Sequence, residues 1–134
     1  MLVVAAALID ASGHVAMHQR PRGKHHGGLW EFPGGKVDLG ESAEAALARE
    51  LAEELGIAID IADLAPVAFA TGAPPPGEAG QLVILLYTCR RWRGEPVALE
   101  GEGLAWCKPD DCALLELAPL DRALLARLVA SGGG

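Results

Sequence analysis

Between Gly35 and Ile57 the chain reads GKVDLGESAEAALARELAEELGI, a glycine loop running into an acidic helix. Residues three and four apart share one helix face, so Glu50, Glu53 and Glu54 fall within an arc of roughly 100°. With Glu41 and Glu44 they make five acids in a 14-residue window that holds one arginine, Arg49. Like charges at this spacing repel, by a few tenths of a kcal/mol per exposed pair. A helix built for stability alone would intersperse lysines. The crowding makes sense if a divalent cation sits on the carboxylate face. Leu47, Leu51 and Leu55 form an apolar ridge beside that arc, leaving one face to pack on a sheet. Ser42 is the expected N-cap, Ala43 to Leu55 the helix, and Gly56 its C′ residue.

The rest of the chain supplies strands and loops around this helix. Leu2 to Ile9 is a buried strand, closed by the turn Asp10-Ala11-Ser12-Gly13, and His14 to Gln19 is a second. Their spacing predicts a hairpin. The start lacks a basic n-region, and Asp10 interrupts its apolar run, so a strand is preferred to a signal peptide. Arg20 to Gly28 is a basic, glycine-rich loop, either solvated or facing phosphates or a base through Lys24, His25 and His26. Ile57 to Ala70 reads as one or two strands interrupted near Asp63, and Thr71 to Gly80, with Pro74-Pro75-Pro76, as an exposed loop. Gln81 to Trp92 is the longest strand candidate, Leu104 to Cys107 a brief one, and Pro109 opens a helical turn. Asp121 to Ala130 is an amphipathic C-terminal helix followed by a glycine tail expected to fray. Helices and strands mix without strict βαβ alternation, which predicts an α/β (α+β) fold with a mixed sheet between helical layers.

With 134 residues the chain is expected to form a single domain spanning 1–134 that buries about two-thirds of its unfolded surface. A net charge of −7 argues against a nucleic-acid polymer or an acidic membrane as partner. It is compatible with a small anionic substrate, because a bound metal reverses the local field. No segment reaches the roughly 18 apolar residues of a membrane span. Cys89, Cys107 and Cys112 form no CxxC pair and read as reduced thiols of a cytoplasmic protein, with no ligand spacing for zinc.

Gly35, Glu41, Arg49-Glu50-Leu51, Glu53-Glu54 and Gly56-Ile57 match every defined position of the Nudix box, G-x5-E-x7-R-E-U-x-E-E-x-G-U, where U is aliphatic. The flanks, Leu29 to Gly35 and Arg91 to Trp106, resemble the MutT branch, and the resemblance covers nearly the whole chain. It implies a Nudix fold and Mg2+- or Mn2+-dependent hydrolysis of a nucleoside diphosphate linked to another group. Glu50, Glu53 and Glu54 are then metal ligands, completed by the Gly34 carbonyl and by Glu100, which stands where MutT-like proteins carry their acid outside the box. Arg49 pairs with a box carboxylate, Glu50 or Glu53 is the general base, and Glu41 is structural or supporting.

By the same resemblance Arg20, Phe32 and Asp121 surround a nucleobase. Two of these positions carry a second reading: Phe32 as a plain core aromatic, Asp121 as the N-cap of the last helix. MutT-like proteins place Pro-Pro-Ala before the latter residue, where this chain has Ala118-Pro119-Leu120. Ionised Asp only accepts hydrogen bonds, whereas Asn also donates, which bears on recognition of an oxidised guanine. The implied partner is a small nucleotide, acted on by a monomer or homodimer. A nucleoside triphosphate is the first expectation, 8-oxo-dGTP before a pyrimidine nucleotide. ADP-ribose or a dinucleoside polyphosphate is the alternative, with Pro74 one position off the proline of ADP-ribose-cleaving relatives. A nucleotide-sensing domain without catalysis is the third.

Overall fold

The computed structural model describes residues 1–132; the end of the glycine tail, and with it the fraying expectation, lies outside the described residues. Among the described residues seven strands run in chain order: β1 (Leu2–Leu8), β2 (Val15–Gln19), β3 (Trp30–Glu31), β4 (Gly34–Lys36), β5 (Leu64–Gly72), β6 (Leu82–Cys89) and β7 (Gly103–Cys107). Three helices accompany them: α1 (Ala43–Leu55), a single turn α2 (Pro109–Cys112), and α3 (Pro119–Ala130). One sheet has the order β4-β1-β6-β5 and the other β3-β2-β7. In the first sheet β1 and β6 are parallel while the outer pairings are antiparallel, so it is mixed as expected.

The strand β1 explains the layering. Successive side chains of a strand point to opposite faces. Val4, Ala6 and Leu8 join a core with Leu47, Leu51 and Leu55 of α1, while Ala5, Ala7 and Ile9 join a second core with Leu124, Leu125 and Leu128 of α3. The sheet therefore lies between the two helices, and its central strand is buried on both sides. That accounts for an apolar run without the polar alternation of a half-exposed strand.

The expected hairpin is corrected. Its turn exists, since the Asp10 N–H donates to the His14 carbonyl at 3.0 Å, and Ile9 bridges to Val15. Beyond that bridge the strands part: β1 pairs with β4 and β6, β2 with β3 and β7. Near Asp63 the chain makes a short 3-10 turn (Ile61–Asp63), which separates β5 from the isolated Ala58–Arg93 bridge.

The reading of three reduced thiols is also corrected. The turn α2, opened by Pro109, brings Cys112 back over Cys107 with the Cα atoms 5.5 Å apart, and the two form a disulfide. Only Cys89 is a free cysteine, and it is buried. Among the described residues no helix is long and apolar enough to cross a membrane.

Candidate active site

Helix α1 begins and ends where its cap residues dictate. Ser42 Oγ accepts from the Ala45 N–H at 3.1 Å, and Gly56 adopts φ 71°, a left-handed conformation that costs glycine little. Burial of Leu47, Leu51 and Leu55 fixes the rotation of the helix, and Glu50 and Glu54 turn toward the Gly34–Lys36 strand while Glu53 stays exposed beside Arg49.

Arg49 organises the outer part of this face. It donates through Nε and Nη2 to both oxygens of Glu41, at 2.8 and 2.9 Å, through Nη1 to Glu50 at 2.9 Å, and through Nη2 to the Lys36 carbonyl at 3.0 Å. Its Nη1 also lies 3.3 Å from Glu53. The paired fork matches carboxylate geometry and adds direction as well as charge. Hydrogen bonds from Arg49 and from the Asp38 N–H hold Glu41 at about 2, well below the usual carboxylate range. Glu41 thus anchors Arg49, and Arg49 aims Glu50. The Glu50 carboxylate rests on Gly35, where an added Cβ would collide with it, so glycine is required at that position for close approach.

Glu54 is the buried member. Its Oε1 accepts from the Gly34 N–H at 2.8 Å. Burial pushes its carboxyl up to about 8, and the neighbouring Glu31, Glu50 and Glu100 add to the rise against the Gly34 hydrogen bond. Glu54 and Gly34 line a cavity of about 230 Å3 together with Glu31, Glu100, Asp121 and His18. Glu50 and Glu53 lie outside this lining, on the Arg49 side of the helix face.

A second cleft, of about 480 Å3, adjoins the first. It is largely apolar, with Pro74, Pro75, Leu82 and Leu120 in its wall, and both spaces reach Arg20, Glu31 and Asp121. Arg20 donates to Glu31 at 2.9 Å and to the His25 carbonyl at 2.8 Å. Lys24 lines the acidic cavity, whereas His25 and His26 line the apolar cleft.

Asp121 is not an N-cap. It lies inside the first turn of α3, which Ala118 precedes, and its Oδ2 accepts from the Phe32 N–H at 2.9 Å. Only 4% of Asp121 is exposed, and burial, reinforced by Glu31, raises its carboxyl to about 7. Phe32 is buried in the α3-side core and also borders the acidic cavity.

Two residues of the site were not anticipated from the sequence: Glu31, and His18 beside it. Ala16 faces the α1 core, and His18, two residues on, continues that face to the site. The signal was a single ionisable side chain directly after the buried apolar residues Val15, Ala16 and Met17. Burial, with the positive charge of Arg20 added to it, lowers the His18 pKa.

Residues 1–128 match the family model of the NUDIX domain. The chain belongs to the Nudix family. It is 36% identical over 132 residues to the CTP pyrophosphohydrolase of Escherichia coli K12, covering 97% of this chain and 93% of that one. It is 34% identical over 130 residues to the 8-oxo-dGTP diphosphatase of Haemophilus influenzae, covering 96% and 92%. Among solved structures, that of the E. coli ORF135 protein superposes with a TM-score of 0.82 at 35% identity, over 96% of this chain and 88% of that one. The chain is a Nudix hydrolase of MutT-like character, with the mixed α+β fold of that family. Hydrolases of this family act on small nucleotide substrates and use divalent metals. The residues present fit such a cation. Several carboxylates converge on one cavity, and burial among like charges leaves Glu54 protonated at neutral pH until a positive charge offsets them.

Proposed function

We propose that this Nudix hydrolase cleaves nucleoside triphosphates to the nucleoside monophosphate and pyrophosphate, with Mg2+ or Mn2+, in the cytoplasm. The observation that carries the reading is the buried Glu54 carboxylate, fixed by the Gly34 N–H, which lines with Glu100 an acidic cavity that adjoins an apolar cleft. Glu50, Glu53, Glu54, Glu100 and the Gly34 carbonyl are the residues that would hold the cation. When bound, it supplies charge neutralisation for the polyphosphate and Lewis acidity toward the reacting oxygens.

The chain's own residues do the rest. Arg49 holds Glu50 in one orientation, anchored by Glu41. Glu50 or Glu53 accepts a proton from the attacking water. The water oxygen bonds to the β-phosphorus, the bond to the α,β-bridging oxygen breaks, and the monophosphate leaves with that oxygen. Lys24 and Arg20 offer positive charge at the cavity rim.

Arg20, Phe32 and Asp121 are assigned to the nucleobase. The support is their position where the two spaces meet. Asp121 is raised to about 7, so near neutral pH it offers either an acceptor or a donor to the base. Oxidised dGTP is the first substrate, in line with the H. influenzae relative. A pyrimidine triphosphate is the second, in line with the E. coli one. A panel of triphosphates, ADP-ribose and dinucleoside polyphosphates, read by separate pyrophosphate and phosphate detection, tests this. Cleavage of ADP-ribose in preference to every triphosphate would overturn it.

A further inference from the structure

His18 is 1% exposed, and among the described residues neither of its ring nitrogens has a hydrogen-bond partner. A buried polar group left in this state has given up its hydrogen bonds to water without replacing them, at a cost to the fold. An apolar side chain at this position, as at Ala16 on the same face, would avoid that cost. The imidazole also packs closely on Gly101, where an added Cβ would collide with its Nε2 and Cε1, so glycine at that position leaves room for the ring.

Two carboxylates surround the ring. In the β2–β3 pairing His18 stands directly opposite Glu31, so their side chains share a face. Glu54 enters from the last turn of α1, and its Oε2 lies 3.9 Å from His18 Nδ1, too far for a hydrogen bond. One ligand atom from each of the three residues lies within 4.8 Å of the others. Each carboxylate has one oxygen held by a protein donor: Glu54 by the Gly34 N–H, Glu31 by Arg20. The carboxylates are thereby oriented before any ligand arrives.

We infer that His18, Glu31 and Glu54 form a mixed nitrogen–oxygen position for a divalent first-row transition metal, Co2+, Ni2+ or Zn2+, at the buried end of the acidic cavity. Mg2+ requires oxygen ligands in near-octahedral geometry and keeps its waters, whereas imidazole suits the later transition metals. The position shares Glu54 with the proposed catalytic set but depends on His18, which lies outside the box. It rests on that reading only through Glu54, and its test uses no nucleotide.

The test is Co2+ binding to the metal-stripped full-length protein, followed by proton NMR of the paramagnetic complex. The chain has four histidines, so His14, His25 and His26 are changed to Gln to leave His18 alone. In that protein one equivalent of Co2+ is expected to produce a single strongly shifted, exchangeable imidazole N–H resonance. His18→Gln should abolish it and weaken Co2+ binding by about tenfold or more, with Mg2+ binding unchanged. Glu31→Gln should retain the resonance and weaken Co2+ binding. Circular dichroism verifies that the variants fold. Absence of the shifted resonance when His18 is the sole histidine would overturn the assignment. Equal losses of Co2+ and Mg2+ affinity in His18→Gln would do so too. Either result leaves the hydrolase reading standing, and failure of hydrolysis in Mg2+ leaves this site standing.

Discussion

Asp121 and Phe32, 89 positions apart in the chain, are joined by a 2.9 Å hydrogen bond from the Phe32 N–H to Asp121 Oδ2. The bond ties the start of α3 to the segment between β3 and β4, so the last helix and β4 are positioned together.

This relationship predicts how stability follows pH. In the fold the Asp121 carboxyl sits at about 7, above its unfolded value near 3.9. A carboxyl raised in this way contributes stability that is complete below about pH 4 and lost as pH rises through 7. Asp121→Asn keeps an acceptor for the Phe32 N–H and does not titrate. Urea unfolding in EDTA should show the variant gaining on the parent between pH 5 and pH 8, by on the order of 1–4 kcal/mol. Parallel profiles across that range would contradict the assignment.

Arg49 is expected to act through orientation. Arg49→Lys keeps the charge but loses the fork that spans both Glu41 oxygens and reaches Glu50. Turnover should fall by about ten- to a hundredfold with a smaller change in KM. An equal loss confined to KM would instead assign Arg49 to substrate binding.

Glu53 is half exposed, with 52% of its side chain accessible, so its replacement should leave the fold intact to within about 0.5 kcal/mol. Glu53→Gln is nevertheless expected to cut turnover by roughly 10²–10⁴-fold. Near-normal rates with unchanged melting would remove Glu53 from the metal and base assignments.

The Cys107–Cys112 disulfide leaves Cys89 as the one free thiol. Protein unfolded without reductant should therefore titrate with one thiol per chain, and with three after reduction. Closing so short a loop stabilises by about 2 kcal/mol, so Cys112→Ser should lower the melting temperature. Three reactive thiols without reductant would show that the bridge does not form.

How much of this was legible in the sequence depends on the range of the forces involved. Helix α1 was readable to the residue because Ser42, the leucine ridge and Gly56 act within a few positions of one another. Pairing of Arg49 with a box carboxylate was expected from the resemblance, and the structure names the partners, Glu41 and Glu50, within one loop and two helical turns. The parting of β1 from β2 was not readable, because a turn fixes neighbours at its tip while sheet partners such as β6 and β7 arrive from far along the chain. Asp121 looked like an N-cap until Phe32 supplied a distant donor. His18 and Glu31 were invisible as a pair because only strand register sets them opposite one another. The disulfide escaped notice because a single helical turn, α2, reverses the chain over five positions.

The central claim, hydrolysis of a nucleoside triphosphate between its α- and β-phosphates, is tested most directly by turnover in H2 18O. The protein is supplied with Mg2+ or Mn2+ and a triphosphate, and the products are resolved by 31P NMR and mass spectrometry. Attack at the β-phosphorus predicts nucleoside monophosphate and pyrophosphate in equal amounts, with 18O in the pyrophosphate alone. Labelled orthophosphate with nucleoside diphosphate, label in the monophosphate, or no turnover with either metal would contradict it.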